Sequence, residues 1–354
     1  MSVLDLARAE IRTMKPYSSA RAEFSGIGVA LNANESPWGA AGAAAALNRY
    51  PEPQPPELVS RLAALYTVDE NQVLVGRGSD EPIDLLVRAF CRAGQDSILI
   101  CPPTFGMYAV AARVQDAAIL EVPLNREFHV DPGAVLARIG ARTRLVFLCT
   151  PNNPTGASID IDVIEALLIA LQGRSVVVVD EAYLEFAERP SALTLLARHD
   201  NLVVLRTLSK AHALAAARVG VLIAQANVVE LLRRIIAPYP LPAPSVAAAL
   251  AALGDGALLQ MRDRVRHLRA ERERLRIVLS DSLPVVAVLP SEANFLCVRW
   301  RDGASMYGRL LAAGIVVRDV SRYPGLQDCL RLSIGTPEQN DALLRVVADA
   351  AGGH

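Results

Sequence analysis

The sequence predicts an α/β protein. It has a large domain with a mainly parallel, seven-stranded sheet between helices, followed by a smaller α+β domain. Three observations predict it. Short β-branched runs recur, separated by segments of helical length and composition. Most of these runs are continuously apolar rather than alternating, as expected when helices cover both faces of a sheet. The chain has 354 residues and is 52% hydrophobic, enough for a large core and two or three domains.

In chain order, residues 1–35 read as a short helix and an irregular arm. Pro16 ends the helix at Met14-Lys15. Leu31-Asn32-Ala33-Asn34-Glu35 is turn-rich, and Asn32 and Asn34 suit backbone bonding there. Residues 36–244 form the predicted large domain. It opens on a proline-rich loop where Tyr50 either packs or is displayed to something outside its own domain. The predicted strands are Val73–Val75, Ser97–Cys101, Ala118–Val122, Leu145–Cys149, Val176–Val179, Leu202–Leu205 and Val219–Ile223. Residues 245–354 are read as a long linking helix, Ser245–Ser280, and the smaller domain. The strands predicted there are Val285–Leu289, Asn294–Trp300, Ile315–Arg318 and Cys329–Ile334, with a helix near Ala304–Ala313. Acids interleave with the arginines of the linking helix, which marks a solvated face rather than an RNA-binding one.

Charge and composition narrow the function. A net charge of −1 gives no global field for nucleic acid or an anionic membrane. Five scattered cysteines, with no Cys-x-x-Cys pair, predict a reduced, cytoplasmic setting, and five scattered histidines give little support to a metal site. The first residues carry Asp5, Arg8 and Glu10, so no signal-peptide core is expected there.

One residue stands out. Of 36 Lys and Arg residues only two are lysines, Lys15 and Lys210. Arginine supplies charge as well as lysine does but cannot supply a free amine. A lysine kept in such a chain suggests a place where an amine is needed, and Schiff-base formation with a carbonyl is the chemistry that needs one most. Lys210 follows a predicted strand, where ligands of parallel sheets sit.

The other strand ends carry polar or aromatic groups too. Gly76-Arg77-Gly78-Ser79-Asp80 feeds a helix N-terminus; it lacks the form of a nucleotide P-loop and is either an ordinary strand–helix turn or a set of N–H groups offered to an anion. Phe105, between prolines and a glycine, is a loop plug or a flat stacking platform. Pro151-Asn152-Asn153-Pro154 holds an amide in a fixed turn. Asp180 closes an apolar strand; it is a helix cap, half of a structural ion pair, or the partner of a ligand cation. Arg318 and Arg331 are either paired structurally or clamp a carboxylate or phosphate. An amine, a buried acid, an asparagine, an aromatic plate and an anion cradle would all be used by one ligand, pyridoxal 5′-phosphate.

Motifs along nearly the whole chain carry a family resemblance. They are Leu-Asn-Ala-Asn-Glu from Leu31, Asn-Arg-Tyr-Pro-Glu from Asn48, Arg-Gly-Ser-Asp-Glu from Arg77 and Cys-Pro-Pro-Thr-Phe-Gly-Met-Tyr from Cys101. Further along come Pro-Asn-Asn-Pro-Thr-Gly from Pro151, Asp-Glu-Ala-Tyr from Asp180, Arg-Thr-Leu-Ser-Lys-Ala from Arg206, Ile-Ala-Pro-Tyr-Pro-Leu from Ile236 and Cys-Leu-Arg-Leu-Ser-Ile-Gly from Cys329. With these the chain resembles the fold-type I pyridoxal-phosphate-dependent transferases, class II aminotransferases, and among them the histidinol-phosphate aminotransferase family. Aromatic aminotransferases and threonine-phosphate decarboxylases share the same cofactor set.

The resemblance implies that Lys210 is the Schiff-base lysine and proton shuttle, and that Asp180 holds the pyridine nitrogen. It implies that Asn153 and Tyr183 bond the phenolic oxygen, and that Phe105 stacks on the ring. Ser79, Asp80, Ser209 and Arg218 are implied at the phosphate, with Tyr50 reaching the cofactor phosphate of a neighbouring subunit in a homodimer with shared sites. Tyr17, Asn34, Arg318 and Arg331 are implied at the substrate, histidinol phosphate in one half-reaction and 2-oxoglutarate or glutamate in the other. Three departures from the family pattern remove no catalytic group: Phe105 where Tyr is common loses a hydroxyl contact and keeps the stacking surface, while His212 where an aromatic is usual and Ala216-Ala217 in place of Gly-Leu before Arg218 touch packing around the lysine loop and bear on substrate preference.

Overall fold

A computed structural model describes residues 2–17, 31–42 and 47–352. The part of the N-terminal arm at 18–30 lies outside the described residues. The large sheet contains β1 (Val73–Arg77), β2 (Ser97–Ile100), β3 (Ala118–Glu121), β4 (Thr143–Cys149), β5 (Val176–Asp180), β6 (Leu202–Thr207) and β7 (Val219–Ala224). Its order is β1-β7-β6-β5-β4-β2-β3. The pairs among β6, β5, β4, β2 and β3 are parallel, and β7 runs antiparallel to both neighbours. Two reversals cancel, so β1 points the same way as β6 and its carboxyl end lies on the same edge of the sheet.

The continuous apolar runs have the predicted cause. Along β5, Val176 and Val178 pack into one core and Val177 and Val179 into the other. β6 divides in the same way, with Val203 and Leu205 on one face and Leu202 and Val204 on the other. One face is covered by α3 (Asp80–Phe90), α4 (Met107–Val114) and α7 (Ala226–Arg233), together with a 3-10 turn at Val3–Leu6 ahead of α1 (Ala9–Thr13). The other is covered by α2 (Pro56–Tyr66), α5 (Pro132–Arg138), α6 (Ile161–Ala170) and α8 (Ala243–Ala252).

The predicted linking helix is two helices. After α8 the chain turns through 74° into α9 (Asp255–Ser280). The break falls at Gly254, which caps α9 with extended backbone (φ −70°, ψ 151°); glycine is a poor helix-interior residue and a tolerated N-cap. α8 packs on the large domain, whereas Leu275 and Leu279 of α9 enter the core of the small one.

The small sheet has the order β10-β11-β9-β8, all antiparallel, with β8 (Val285–Val288), β9 (Phe295–Trp300), β10 (Arg318–Asp319) and β11 (Cys329–Ser333). α10 (Gly303–Ala312) and α11 (Pro337–Gly352) cover it. The strand predicted at Ile315–Arg318 is displaced to Arg318–Asp319. Gly314 adopts φ +76° and the Ile315 N–H donates to Leu310, so these residues close α10 rather than pair in the sheet.

Candidate active site

The carboxyl ends of β6, β5, β4 and β2 open into a cavity of about 540 Å³, within the range of small-molecule sites. Lys210, Asp180, Tyr183, Asn153, Phe105, Ser79, Asp80, Ser209 and Arg218 line it from the large domain. Arg318, Val320, Arg322, Tyr323 and Arg331 line it from the small one.

Asp180 is 2% exposed and sits at the last position of β5, in register with Cys149 of β4 and Leu205 of β6. Tyr108 Oη donates to its Oδ2 at 2.7 Å and the Ala182 N–H to its Oδ1 at 3.1 Å. Among the described residues it has no ion-pair partner. Burial pushes its carboxyl up to about 6, against the pull of those two hydrogen bonds. A carboxylate so placed calls for a cation arriving from the cavity.

Lys210 lies beyond the end of β6, its amine 5.4 Å from the centre of the Tyr183 ring. Its pKa is lowered, first by desolvation and then by the positive charges of Arg331 and Arg218. Tyr183 meets Phe295 of β9 edge-on at 5.3 Å, and Asn153 Nδ2 donates to Tyr183 Oη at 3.5 Å. Arg331 Nη1 donates to Asn153 Oδ1, which leaves the amide N–H₂ for Tyr183 and the cavity. Phe105 stands at its rim.

The cradle ahead of α3 depends on glycine. A Cβ on Gly220 would lie 2.1 Å from the carbonyl carbon of Gly78 and 2.4 Å from the amide nitrogen of Ser79. β7 can therefore press against the turn only at a residue without a side chain. Ser79 is the N-cap of α3, whose first N–H groups have no intrahelical acceptors. Arg218, in the left-handed region at φ 54°, places its guanidinium on Asp80 Oδ2 at 3.1 Å and on the Ala215 carbonyl. Thr207 Oγ1 holds the Ser209 hydroxyl at 3.0 Å.

Arg318 and Arg331 face each other directly across the β10–β11 ladder. Like charges opposite one another destabilise a strand pair, and neither forms a salt bridge among the described residues. Both line the cavity, where an anion would relieve the repulsion.

The structure does not bring Tyr17, Asn34 or Tyr50 to this cavity. Tyr17 is 74% exposed. Asn34 takes φ 55° in the arm beside Glu35. Glu35 accepts from Arg49 Nη1 at 2.8 Å and from the Tyr50 N–H at 2.6 Å, tying arm to loop. Tyr50 stacks on Tyr239 at 4.5 Å and remains half exposed. Sequence reading gave no role to Tyr108, Arg322 or Tyr323. For Tyr108 the sequence carries no signal, since it reaches Asp180 only through the placing of α4.

Comparison with known proteins agrees with this fold. The model of the family "Aminotransferase class I and II" matches residues 19–347. A histidinol-phosphate aminotransferase of Xylella fastidiosa (strain Temecula1) is 53% identical over 353 residues, covering 98% of this chain and 97% of that protein. One from Xanthomonas campestris pv. campestris (strain 8004) is 53% identical over 348 residues, covering 97% and 96%. Among solved structures, the histidinol-phosphate aminotransferase of Sinorhizobium meliloti in complex with pyridoxal-5′-phosphate superposes with a TM-score of 0.79. It is 26% identical and covers 90% of this chain and 89% of that one.

Proposed function

The chain belongs to the class I and II aminotransferase family, and from that premise we propose the reaction its cavity serves. It transfers an amino group between L-histidinol phosphate and 2-oxoglutarate, giving imidazole-acetol phosphate and L-glutamate, in histidine biosynthesis. The cofactor is pyridoxal 5′-phosphate. The observation that carries the substrate assignment is the Arg318–Arg331 pair, set opposite each other with no carboxylate partner among the described residues. Both substrates are anions, a phosphomonoester and a dicarboxylate, and a planar guanidinium grips either in bidentate fashion.

The residues present fit the cofactor. Asp180 is a buried carboxylate without a cation among the described residues. The turn at Gly78 offers N–H donors beside Arg218 and a backbone approach that only glycine allows. When bound, pyridoxal phosphate supplies a carbonyl for an amine and a conjugated ring that holds the electron pair released at the substrate Cα. In our reading Asp180 holds the ring N–H, and Asn153 Nδ2 and Tyr183 Oη meet the phenolic oxygen. Phe105 covers the ring, while Ser79, Asp80, Ser209 and Arg218 hold the phosphate. The lowered pKa of Lys210 raises the unprotonated fraction of its amine at neutral pH. Its Nζ can bond a carbonyl with loss of water, and, once an incoming substrate amine has displaced it, would accept the proton from the substrate Cα and pass it to the carbon of that carbonyl.

We extend the proposal to a homodimer. Tyr50 stands half exposed and off its own cavity, and Leu31 and Trp38 nearby in sequence are 83% and 79% exposed. Apolar side chains so exposed suit a subunit interface, where Tyr50 would reach the partner's cofactor phosphate and Tyr17 and Asn34 would flank a substrate. The five cysteines, all buried and unpaired, support a cytoplasmic setting.

The test is an assay of purified holoenzyme with histidinol phosphate and, separately, phenylalanine as amino donors. Preferred turnover of histidinol phosphate, abolished in Lys210→Ala, is the expected result. Wild-type turnover by Lys210→Ala would sink the mechanism, and a preference for phenylalanine would sink the substrate assignment.

A further inference from the structure

We propose that Tyr108 is a positioning residue for this reaction, holding Asp180 as an oriented carboxylate and Phe105 as an upright plate for the same ring. The inference rests on the reading that Asp180 meets the cofactor's ring nitrogen. Its own observation is separate. Tyr108 is fully buried on α4, and its hydroxyl reaches Asp180 Oδ2 at 2.7 Å. The ring has no freedom to swing. It stacks on Phe147 of β4 at 4.7 Å with 13° between planes, and meets Phe105 edge-on at 5.6 Å and 86°. Phe147 thus fixes Tyr108, and Tyr108 fixes two groups on the cavity wall.

The charges around Asp180 show why such a donor is needed. Asp80 at the start of α3 and Glu181 beside it oppose ionisation, as does burial. Tyr108 from α4 and the Ala182 N–H favour it. Cys149 of β4, Tyr183 and Lys210 complete the surroundings, and neither the thiol nor the phenol of Tyr183 carries charge near neutrality, since burial raises both. The Tyr108 phenol is itself raised well above its ordinary value, first by burial. It therefore stays protonated, and a donor, around neutral pH. It can donate one proton and gain none, so the link to Asp180 does not switch as an imidazole would.

Tyr108→Phe removes the hydroxyl and keeps both ring contacts. The experiment is a titration of apoenzyme with pyridoxal phosphate from about pH 5.5 to about pH 8.5, for the wild type, Tyr108→Phe, Asp180→Asn and the double variant. A hydrogen bond to a charged group corresponds to a loss of roughly 10- to 100-fold in affinity. That loss should be larger at the acidic end, where a carboxyl without its donor is protonated. In the Asp180→Asn background the same change should do little, and kcat of Tyr108→Phe should fall while KM for the amino donor holds. Affinity equal to wild type across the range, or an equal loss at every pH and in both backgrounds, would overturn the role of Tyr108. Wild-type affinity in Asp180→Asn would instead remove the reading beneath it.

Discussion

Arg206 lies on β6 two residues before the strand hands over to the lysine loop, on the face away from the cavity. Its Nη1 donates to Glu181 Oε2 at 2.8 Å and its Nη2 to Glu185 Oε1 at 2.7 Å. The three side chains are 8%, 1% and 12% exposed. Glu181 also accepts from the Ser191 hydroxyl and the Ala192 N–H, both at 2.6 Å. Replacing Arg206 with Met keeps most of the volume but strands two buried carboxylates. Breaking a buried pair from one side costs about 3–5 kcal/mol. At roughly 2–4 °C per kcal/mol for a domain of this size, apoenzyme Tm should fall by roughly 6–20 °C. Circular dichroism melts of wild type, Arg206→Met and the triple variant Arg206→Met/Glu181→Gln/Glu185→Gln measure it, and the triple variant should recover a large part of the loss. A melting point for Arg206→Met within about 2 °C of wild type would refute the claim that this cluster is an ion-pair core.

Other outcomes follow from the same geometry. The Asp180 carboxyl, raised to about 6 by burial, contributes stability at low pH that is lost as pH rises through that value. Asp180→Asn should therefore stabilise the apoenzyme by about 3 kcal/mol above pH 6, fading by about pH 4, while cofactor binding collapses; urea melts at two pH values read this. Gly220→Ala forces backbone apart at the cradle, so cofactor affinity should drop at least about tenfold with a stability cost above about 1–3 kcal/mol; unchanged affinity in a spectroscopic titration would count against the cradle. Arg331→Lys keeps the charge and loses the fork, so kcat/KM should fall roughly 10- to 100-fold for histidinol phosphate and for glutamate; a loss confined to one substrate would separate the two anions' sites. Mixed dimers of Tyr50→Ala and Lys210→Ala subunits should regain activity that neither homodimer has, and a mixture as inactive as its parents would argue against shared sites.

The sheet was legible because its strands are apolar on both faces, and nothing but burial under helices explains a run such as Val176–Val179. The direction of β7 was not legible, because a short apolar strand reads the same in either sense. The break between α8 and α9 was written in Gly254 and Gly256, but the alanine-rich flank masked it. At the site, residues tied to strand ends could be found from the sequence, since position along a strand fixes which edge they occupy. Tyr108 could not, because its role depends on α4 lying beneath the end of β5. Arg206, Glu181 and Glu185 meet only because alternate residues of β6 face opposite ways. Tyr17, Asn34 and Tyr50 do not line their own chain's cavity, and no spacing along the chain fixes where such residues point.

The cavity has walls from the large-sheet and the small-sheet units, and Arg331 reaching Asn153 is one contact across it, beside Tyr183 against Phe295. Glu292 also ties the two units, accepting from the Ser158 hydroxyl and from Arg189 Nε, while the facing arginines leave positive charge for an anion to balance. On the proposed assignment, a substrate anion held by the facing arginines would ease the repulsion between β10 and β11 and form a strut between the two units. Molecules with the right amine but no anionic group would meet the same catalytic nitrogen in a chamber they cannot brace.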